Sequence, residues 1–272
     1  MSGAAFEYGA GRPSVLAQEL ATIRVLVARD LTRFLREKSR VAGALLQPLI
    51  FWLVIGAGLT PTFQLQGSSE VGYLEYFYPG VLVMVVLFTA IFSTMSVIED
   101  RHSGFLQAVL VAPGSRVSLV LGKCLGSSAV ALAQAGLFLL LAPLAGFAVG
   151  QFSWVPLLFG ITLSCFSLCT LGFAVAWWLD STTGYHVAMS VGLLPLWILS
   201  GAMFPVRSGV MGVLAAFNPM SYAVTAVRRG LYGPKLPTAL ALGHGPLVEL
   251  GVLALFSLGM VALAVAVCRR RR

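Results

Sequence analysis

Six long apolar runs decide what this chain can fold into. They lie near 41–60, 80–98, 119–149, 155–179, 186–204 and 247–268. A helix needs about 20 predominantly apolar residues to cross the hydrocarbon core of a bilayer. Only 10% of the 272 residues are charged, whereas soluble domains carry about 25%. The sequence therefore predicts an all-α membrane protein with six transmembrane helices.

The distribution of basic residues predicts the orientation of these helices. Of the 18 Lys and Arg residues, seven precede the first apolar run and four close the chain at 269–272. Basic residues next to membrane spans mark the cytoplasmic side and attract anionic lipids. We therefore expect a cytoplasmic segment at 1–40, a domain of six transmembrane helices at 41–268 and a cytoplasmic tail at 269–272. The net charge of +8 is explained by these flanks, so we expect lipid partners and no nucleic acid.

The motifs of common cofactor sites do not occur in this sequence. The one Gly-Lys pair, Gly122-Lys123, has Val117 where a phosphate-binding loop needs its first glycine. The paired thiols of Cys165 and Cys169 lack the His or carboxylate neighbours of a metal site. We expect a chain that is not an enzyme, binds no cofactor or metal and has no catalytic residue. Lys123 stands inside the overlong third run, and we expect it to reach the membrane surface.

An amphipathic helix is predicted at 14–39, before the first span. Leu16, Leu20, Ile23 and Val27 recur at helical spacing, and Arg29 and its successors recur on another face. Such a helix is suited to the membrane interface, with its apolar side in lipid. Packing of a soluble helix on a partner protein is the alternative.

The loop at 99–118 is predicted to face the cytoplasm. Charged residues begin it, a short apolar stretch follows, and Pro113 ends that stretch. This pattern is typical of a docking helix on the membrane surface, although an ordinary loop whose carboxylates cap the next helix fits equally well. The candidate docking residues are Glu99, Asp100, Arg101, Gly104, Phe105, Leu106 and Pro113.

The segment at 205–246 conflicts with the charge rule, because it should be external and yet is basic. Asn218-Pro219 divides its apolar stretch into pieces too short to cross a bilayer. A re-entrant hairpin at 205–229 is the preferred prediction, and a seventh span at 209–227 is the alternative. We expect Arg228 to return to the external surface. The candidate gate residues of this hairpin are Phe204, Pro205, Asn218, Pro219 and Arg228.

Three phrases, in this order, resemble the ABC-2 family of bacterial ABC-transporter permeases, which includes drug, nodulation-factor and polysaccharide exporters. They are EDRHSGFLQAVLVAPGSRVSLVLGK at 99–123, SGAMFPV at 200–206 and FNPMSYAVTAVRRGLYG at 217–233. The resemblance implies six spans, a coupling helix that enters a cleft in the ATPase, and short re-entrant helices before the last span. It also implies a separate ABC ATPase subunit that holds the ATP, and a second permease subunit that forms a dimer.

The predicted function is that of a permease subunit in the bacterial inner membrane, with both termini cytoplasmic, in an ATP-driven exporter. Few polar side chains lie in the predicted spans, which favours an amphiphilic or lipid-like substrate. A secondary carrier or a membrane assembly factor is the alternative, but a carrier usually places acidic residues at mid-membrane. The ten acidic residues here lie in loops or near the ends of spans.

Overall fold

Helices form nearly all of the computed structural model, which describes residues 14–62, 71–112, 114–205, 209–237, 240 and 243–270. No strand occurs among these residues. In chain order the α-helices are α1 (Val15–Arg36), α2 (Lys38–Leu59), α3 (Tyr73–Thr94), α4 (Ser96–His102), α5 (Phe105–Val111), α6 (Arg116–Leu139), α7 (Trp154–Trp178), α8 (Thr182–Trp197), α9 (Gly209–Phe217), α10 (Pro219–Tyr232) and α11 (Pro246–Arg270).

Six helical segments of the described chain are long and apolar enough to cross a membrane, which confirms the predicted number. They are Val41–Leu59, Tyr73–His102, Arg116–Leu139, Trp154–Trp178, Thr182–Ala202 and Pro246–Arg270. The predicted end of the third span, at 149, is wrong. Helix α6 ends at Leu139, and short 3-10 turns follow, because Pro143 lacks a backbone donor and Gly146 adopts a φ of 100°.

Helix α3 forms the centre of the bundle. Every residue from Tyr76 to Ile91 is buried, and α3 packs against α2, α6, α7, α8 and α10. Helices α2 and α11 are peripheral by comparison, since only 22% and 17% of their most apolar windows are buried. A helix that is apolar on all sides but buried on few is one that faces lipid or another chain.

The two ends of the bundle differ in chemistry. The charged end comprises α1, α4, α5, the beginning of α6 and the end of α11. There the Arg116 guanidinium donates to the carbonyls of Cys268 and Arg269, at 3.0 Å each. The aromatic end comprises the beginnings of α3 and α7 and the ends of α6, α8 and α10. Helix α1 and the end of α11 thus share one end of the bundle, as the predicted orientation requires.

Helix α1 packs closely along α6, and the two helices run in the same direction. A Cβ atom placed on Gly122 would lie 2.8 Å from Leu26 Cδ1, and one placed on Gly126 would lie 3.0 Å from a carboxylate oxygen of Asp30. Two glycines spaced by four residues let helix backbones approach in this way. The opposite face of α1 leaves several apolar side chains exposed: Val15, Leu16, Leu20, Val25 and Leu35. The amphipathic helix predicted at 14–39 is therefore observed, and one side of it packs on protein.

Candidate functional site

A buried ion-pair network joins three helices at the charged end. Lys123 on α6 donates from Nζ to Asp30 Oδ1 at 2.9 Å, to Asp100 Oδ2 at 2.9 Å and to Ser96 Oγ at 3.3 Å. Its side chain has no exposed area. The prediction that Lys123 reaches the surface is wrong. Carboxylates from α1 and α4 meet the ammonium group inside the bundle, so it has no need of bulk water.

Two arginines of α1 extend this network. Arg29 forms a bidentate pair with Asp100, at 2.8 and 2.6 Å. Arg33 pairs with Glu99 and donates from Nε to Glu37 at 2.9 Å. Bidentate arginine–carboxylate pairs are strong and fix the relative orientation of the groups they join. The network therefore links α1 to α4 in a defined geometry.

Burial and polar contacts have opposite effects on the pKa values of the charged side chains of α1. Burial raises the pKa of Asp30 above its ordinary value, although the Lys123 charge opposes that shift. The hydrogen bond to Asp100 raises the pKa of Arg29. Hydrogen bonds from Ser118 and Ser115 lower the pKa of Glu19, a partly exposed residue of α1 that lies beside the beginning of α6. The Glu19 carboxylate thus stabilises the first turn of α6, whereas the Asp30 carboxylate depends on Lys123 to offset part of the cost of its burial.

The charged residues predicted for docking, Glu99, Asp100 and Arg101, bond their own segment to the rest of the bundle. Glu99 and Asp100 bond to α1, as described above. Arg101 donates to the carbonyls of Trp177 at 2.8 Å and Leu179 at 3.0 Å, and it pairs with Asp180. It thereby satisfies backbone acceptors at the end of α7 that have no partner within that helix. Because these bonds reach α1, α6 and α7, a displacement of this segment would be transmitted to all three helices.

Helix α5 has one face against the protein and one face exposed. Gly104, with a φ of 77°, makes the turn from α4 to α5, and a side chain there would be strained. The Arg29 guanidinium lies 3.7 Å from the centroid of the Phe105 ring, and Leu106 is buried. Leu110 and Val111 are exposed, Val111 by 86%. Pro113 lies outside the described residues.

At the aromatic end, Arg228 is buried against a break in a helix. Its Nη2 donates to the Gly201 carbonyl at 3.1 Å, and its guanidinium lies 4.7 Å from the Tyr76 ring centroid. Tyr76 Oη donates to the same carbonyl at 2.7 Å. Gly201 has a φ of 78° inside the π-helical turn Ile198–Ala202, which continues α8. With only 5% of its area exposed, Arg228 contradicts the prediction that it returns to the external surface. The carbonyl and the ring replace water as its partners.

The other predicted gate residues lie in two places. Phe204 and Pro205 are exposed, just after the π-helical turn. Asn218 is buried between α9 and α10, where its amide donates to the Leu196 carbonyl at 2.6 Å and its oxygen caps Met220 N at 3.0 Å. Helices α9 and α10 meet at 87°. Pro219 lines a cavity with Ser167 of α7, so this bend lies well inside the length of the bundle. The re-entrant hairpin itself stays a prediction.

Two functional features escaped the sequence reasoning, although each had a signal. Asp30 is the one acidic residue among the arginines of α1, and it follows Leu26 and Ile23 at spacings of four and seven. That spacing places it on a helix face that could be buried. Gly122 and Gly126 show the four-residue spacing of close helix packing. Together these signals indicate a helix docked on α6 by a buried ion pair.

The structure is that of a membrane protein with six candidate spans and a short helix, α5, at the charged end, where the α4–α5 segment is bonded to α1, α6 and α7. The comparisons give the family. Residues 21–232 match the model of the ABC-2 type transporter, and the chain belongs to that family. Its members are the membrane subunits that operate with a separate ABC ATPase. Membership of this family decides against the two alternatives, a secondary carrier and a membrane assembly factor.

Relatives with recorded names support the same class. The chain is 27% identical to nodulation protein J of Rhizobium leguminosarum bv. trifolii, over 86% of this chain and 87% of the relative. It is 26% identical to the daunorubicin resistance ABC transporter permease protein DrrB1 of Streptomyces coeruleorubidus, over 75% and 73%. It is 27% identical to a Cyanophora paradoxa protein named as a transport permease, ycf38, over 75% and 72%.

Proposed function

We propose that this permease exports an amphiphilic or lipid-like substrate, and that α5 is the helix on which its ATPase acts. The observation that carries the proposal is the attachment of α5 to the bundle. Arg29–Asp100, Lys123–Asp100 and Arg101 with the end of α7 connect the α4–α5 segment to three helices. Force applied to the exposed face of α5 would therefore reach the spans without being absorbed by a flexible loop.

The residues that touch the ATPase differ, on this proposal, from those that transmit its motion. Glu99, Asp100, Arg101, Phe105 and Leu106 transmit motion, because their side chains contact α1, α7 or the core. The exposed side chains at the far side of α5, among them Leu110 and Val111, provide the contact surface. Leu110 and Val111 are adjacent, and contiguous exposed apolar patches with polar rims mark interaction sites.

We propose a dimer of the permease with the substrate path between the copies. Helix α2 exposes Gln47 within an apolar groove formed by Gly43, Leu46, Ile50 and Val54. A polar amide facing hydrocarbon is costly, and polar residues in spans usually face a protein interface or an aqueous path. On this proposal both termini lie in the cytoplasm, and the membrane is the inner membrane of a bacterial cell. The wall of α2 is otherwise apolar, which suits an amphiphile better than an ion.

The test compares one substitution at opposite ends of the bundle. Val111→Asp places a charge on the exposed side of α5 and should abolish substrate-stimulated ATP hydrolysis by the reconstituted transporter. Val149→Asp, at a residue 52% exposed at the aromatic end, is the matched control and should leave hydrolysis near the wild-type rate. The amount of ATPase that co-purifies with each permease variant reports the contact directly.

Two results would contradict the proposal. Normal ATPase recovery and transport with Val111→Asp would show that α5 is not the contact. Labelling of a cysteine at Ser103 by an impermeant reagent from the external side would invert the orientation and remove the helix from the ATPase.

A further inference from the structure

A small polar cavity of about 30 Å³ lies behind the elbow between α1 and α2. Its walls come from the elbow, from one face of α3 at 89–96, and from α6 at Ser127 and Val130. Seven of the eleven side chains that line it are polar or charged. A buried water molecule needs about 10–15 Å³ of such space and two to four polar partners. The cavity therefore has the size and the chemistry of a site for about two water molecules.

Asp30 is the most deeply buried charged group of this cavity, with 7% of its side chain exposed. Its carboxylate accepts from Lys123 Nζ at 2.9 and 3.0 Å, and Arg29 Nη1 lies 3.6 Å from Oδ1. An ionised carboxylate can accept about four hydrogen bonds, so these contacts leave part of its capacity unused. A buried carboxylate is costly unless its other acceptor positions are also bonded. Asp30 therefore needs donors on the side that faces the cavity.

Two hydroxyl groups line the same cavity. Ser127, one turn after Lys123 on α6, is 1% exposed, and its hydroxyl forms no hydrogen bond with any residue that the structure describes. Ser96 accepts from Lys123 Nζ at 3.3 Å, and its own hydrogen can still be donated. A buried hydroxyl group without a partner is destabilising. A molecule that accepts from Ser127 and donates to Asp30 would satisfy both groups, and water has both capacities.

We propose that this cavity binds two water molecules, which join the Asp30 carboxylate to the hydroxyl groups of Ser96 and Ser127. A metal cation is disfavoured at this position, because the cationic groups of Lys123 and Arg29 already lie within 4 Å of Asp30. An anion is disfavoured by the carboxylate itself. Water carries no net charge and fits the size of the cavity.

The two partners of the buried ion pair would then differ in their access to water. Arg33 and Glu37, with 30% and 31% of their side chains exposed, line the cavity at the elbow. The bound waters would let the Asp30 carboxylate exchange protons with solvent there. The side chain of Lys123 has no exposed area and does not line the cavity. This inference is independent of the proposed function, because it involves neither the ATPase nor a transported substrate.

Water-edited solid-state NMR of the full chain in deuterated lipid bilayers tests the proposal. The chain contains three aspartates, Asp30, Asp100 and Asp180. Carbon-13 labelling of aspartate carboxyl groups therefore gives three signals, which single Asp→Asn variants assign. Magnetisation should pass from water to Asp30 nearly as fast as to Asp180, whose side chain is 68% exposed. Transfer to Asp100 should be slower, since its side chain is 2% exposed and does not line the cavity. Because Asp100 also bonds to Lys123, it corrects for protons relayed through the ammonium group.

The matched pair of variants is Ala44→Val and Ala57→Val, the same change on the same helix. Ala44 is 2% exposed and lines the cavity, whereas Ala57 is on the exposed side of α2. Ala44→Val should displace the waters, so that transfer to Asp30 falls to the rate of Asp100. Ala57→Val should keep the wild-type rate. Ser93→Val fills the cavity from α3 and replaces Ala44→Val if that variant does not fold.

Three results would overturn the proposal. The first is transfer to Asp30 in the wild type that is as slow as transfer to Asp100. The second is equal transfer to Asp30 in the filled and control variants. The third comes from thermal unfolding in sodium chloride and in choline chloride, for which bound water predicts the same midpoint. A midpoint raised by sodium in the wild type but not in Ala44→Val would show that the cavity holds a cation.

Discussion

The charged end and the aromatic end bury cations in different ways. At the charged end, Lys123 lies between two carboxylates, and the arginines of α1 pair with acidic residues of α4. At the aromatic end, Arg228 is held by a carbonyl and a tyrosine ring, with no ion pair in the part of the chain that the structure describes. Ion pairs in low dielectric are directional and costly to separate, whereas ring contacts tolerate sliding.

This difference indicates a division of labour between the ends. The helices at the charged end are fixed to one another and should move as a unit. At the aromatic end, α3, α8 and α10 meet through ring surfaces and hydrogen bonds to carbonyls, and the ion pair present there, Arg229–Glu249, joins α10 to α11. On the proposed function, the charged end would transmit the motion of the ATPase, and the aromatic end would change its packing in response.

The largest expected effect comes from removing the central cation. Lys123→Met leaves the buried Asp30 with only Arg29, at 3.6 Å, and removes one of the cations of Asp100, which should lower the free energy of unfolding by about 3–5 kcal/mol. Thermal unfolding of the purified permease in detergent measures it. Lys235→Met, at an exposed lysine, is the control and should change stability by less than about 0.5 kcal/mol.

The carboxylates provide a second control for that experiment. Adding Asp30→Asn to Lys123→Met removes one of the two repelling charges and should recover part of the loss. Equal midpoints for the Lys123 and Lys235 variants would show that the network does not hold the charged end together.

A smaller loss of stability is expected when an added side chain forces α1 and α6 apart without removing any charge. Gly122→Val should cost about 1–3 kcal/mol, since the added atoms would overlap Leu26 and crowd the Ile23 backbone. Gly136→Val on the same helix is the matched control, because a Cβ there meets nothing within 4 Å. Protease cleavage between α1 and α2 should become faster in the Gly122 variant only. Equal cleavage of both variants would mean that lipid, rather than α6, holds α1.

At the aromatic end, removal of a single hydroxyl group should have a still smaller effect on stability. Tyr76→Phe removes one of two donors to the Gly201 carbonyl, so the carbonyl keeps Arg228 and the cost should be about 1 kcal/mol. Chemical unfolding in mixed micelles measures the change. Combining Tyr76→Phe with Arg228→Met leaves the carbonyl unsatisfied, so the pair should cost more than the sum of the single changes. Simple additivity would show that the two side chains do not share this acceptor.

The smallest effect concerns Glu19. Because hydrogen bonds lower its pKa in the folded protein, its contribution is present above the unfolded pKa and is lost as pH falls through the folded pKa. The stability of the wild type should therefore fall slightly more than that of Glu19→Gln when the pH is taken below about 4. Thermal midpoints of the two proteins across an acid pH series measure this. Parallel curves would show that the Glu19 carboxylate does not contribute to the attachment of α1 to α6.

Sequence patterns predicted the bundle well and the interior of its polar sites poorly. The number and order of the spans follow from runs of apolar residues, which are local properties of the chain. The burial of Lys123 depends on Asp30, 93 positions away, and that of Arg228 depends on Gly201, 27 positions away. From the sequence, Lys123 and Arg228 were each predicted to reach the surface, because the buried partner of each is known only from the tertiary structure. Gly201 could not be singled out as a helix break, because a glycine in an apolar run is common in membrane helices.

The parallel packing of α1 on α6 also sets an order of synthesis. Arg29 and Asp30 leave the ribosome first, Asp100 follows after two spans, and Lys123 comes only with the third. Until then α1 has no glycine surface to pack against, and Asp30 has no Lys123 to pair with, although Arg29 and Arg33 already have Asp100 and Glu99. Completion of the charged end is therefore a late event in biogenesis, and a chain halted before residue 126 would carry α1 without its complete contact with α6.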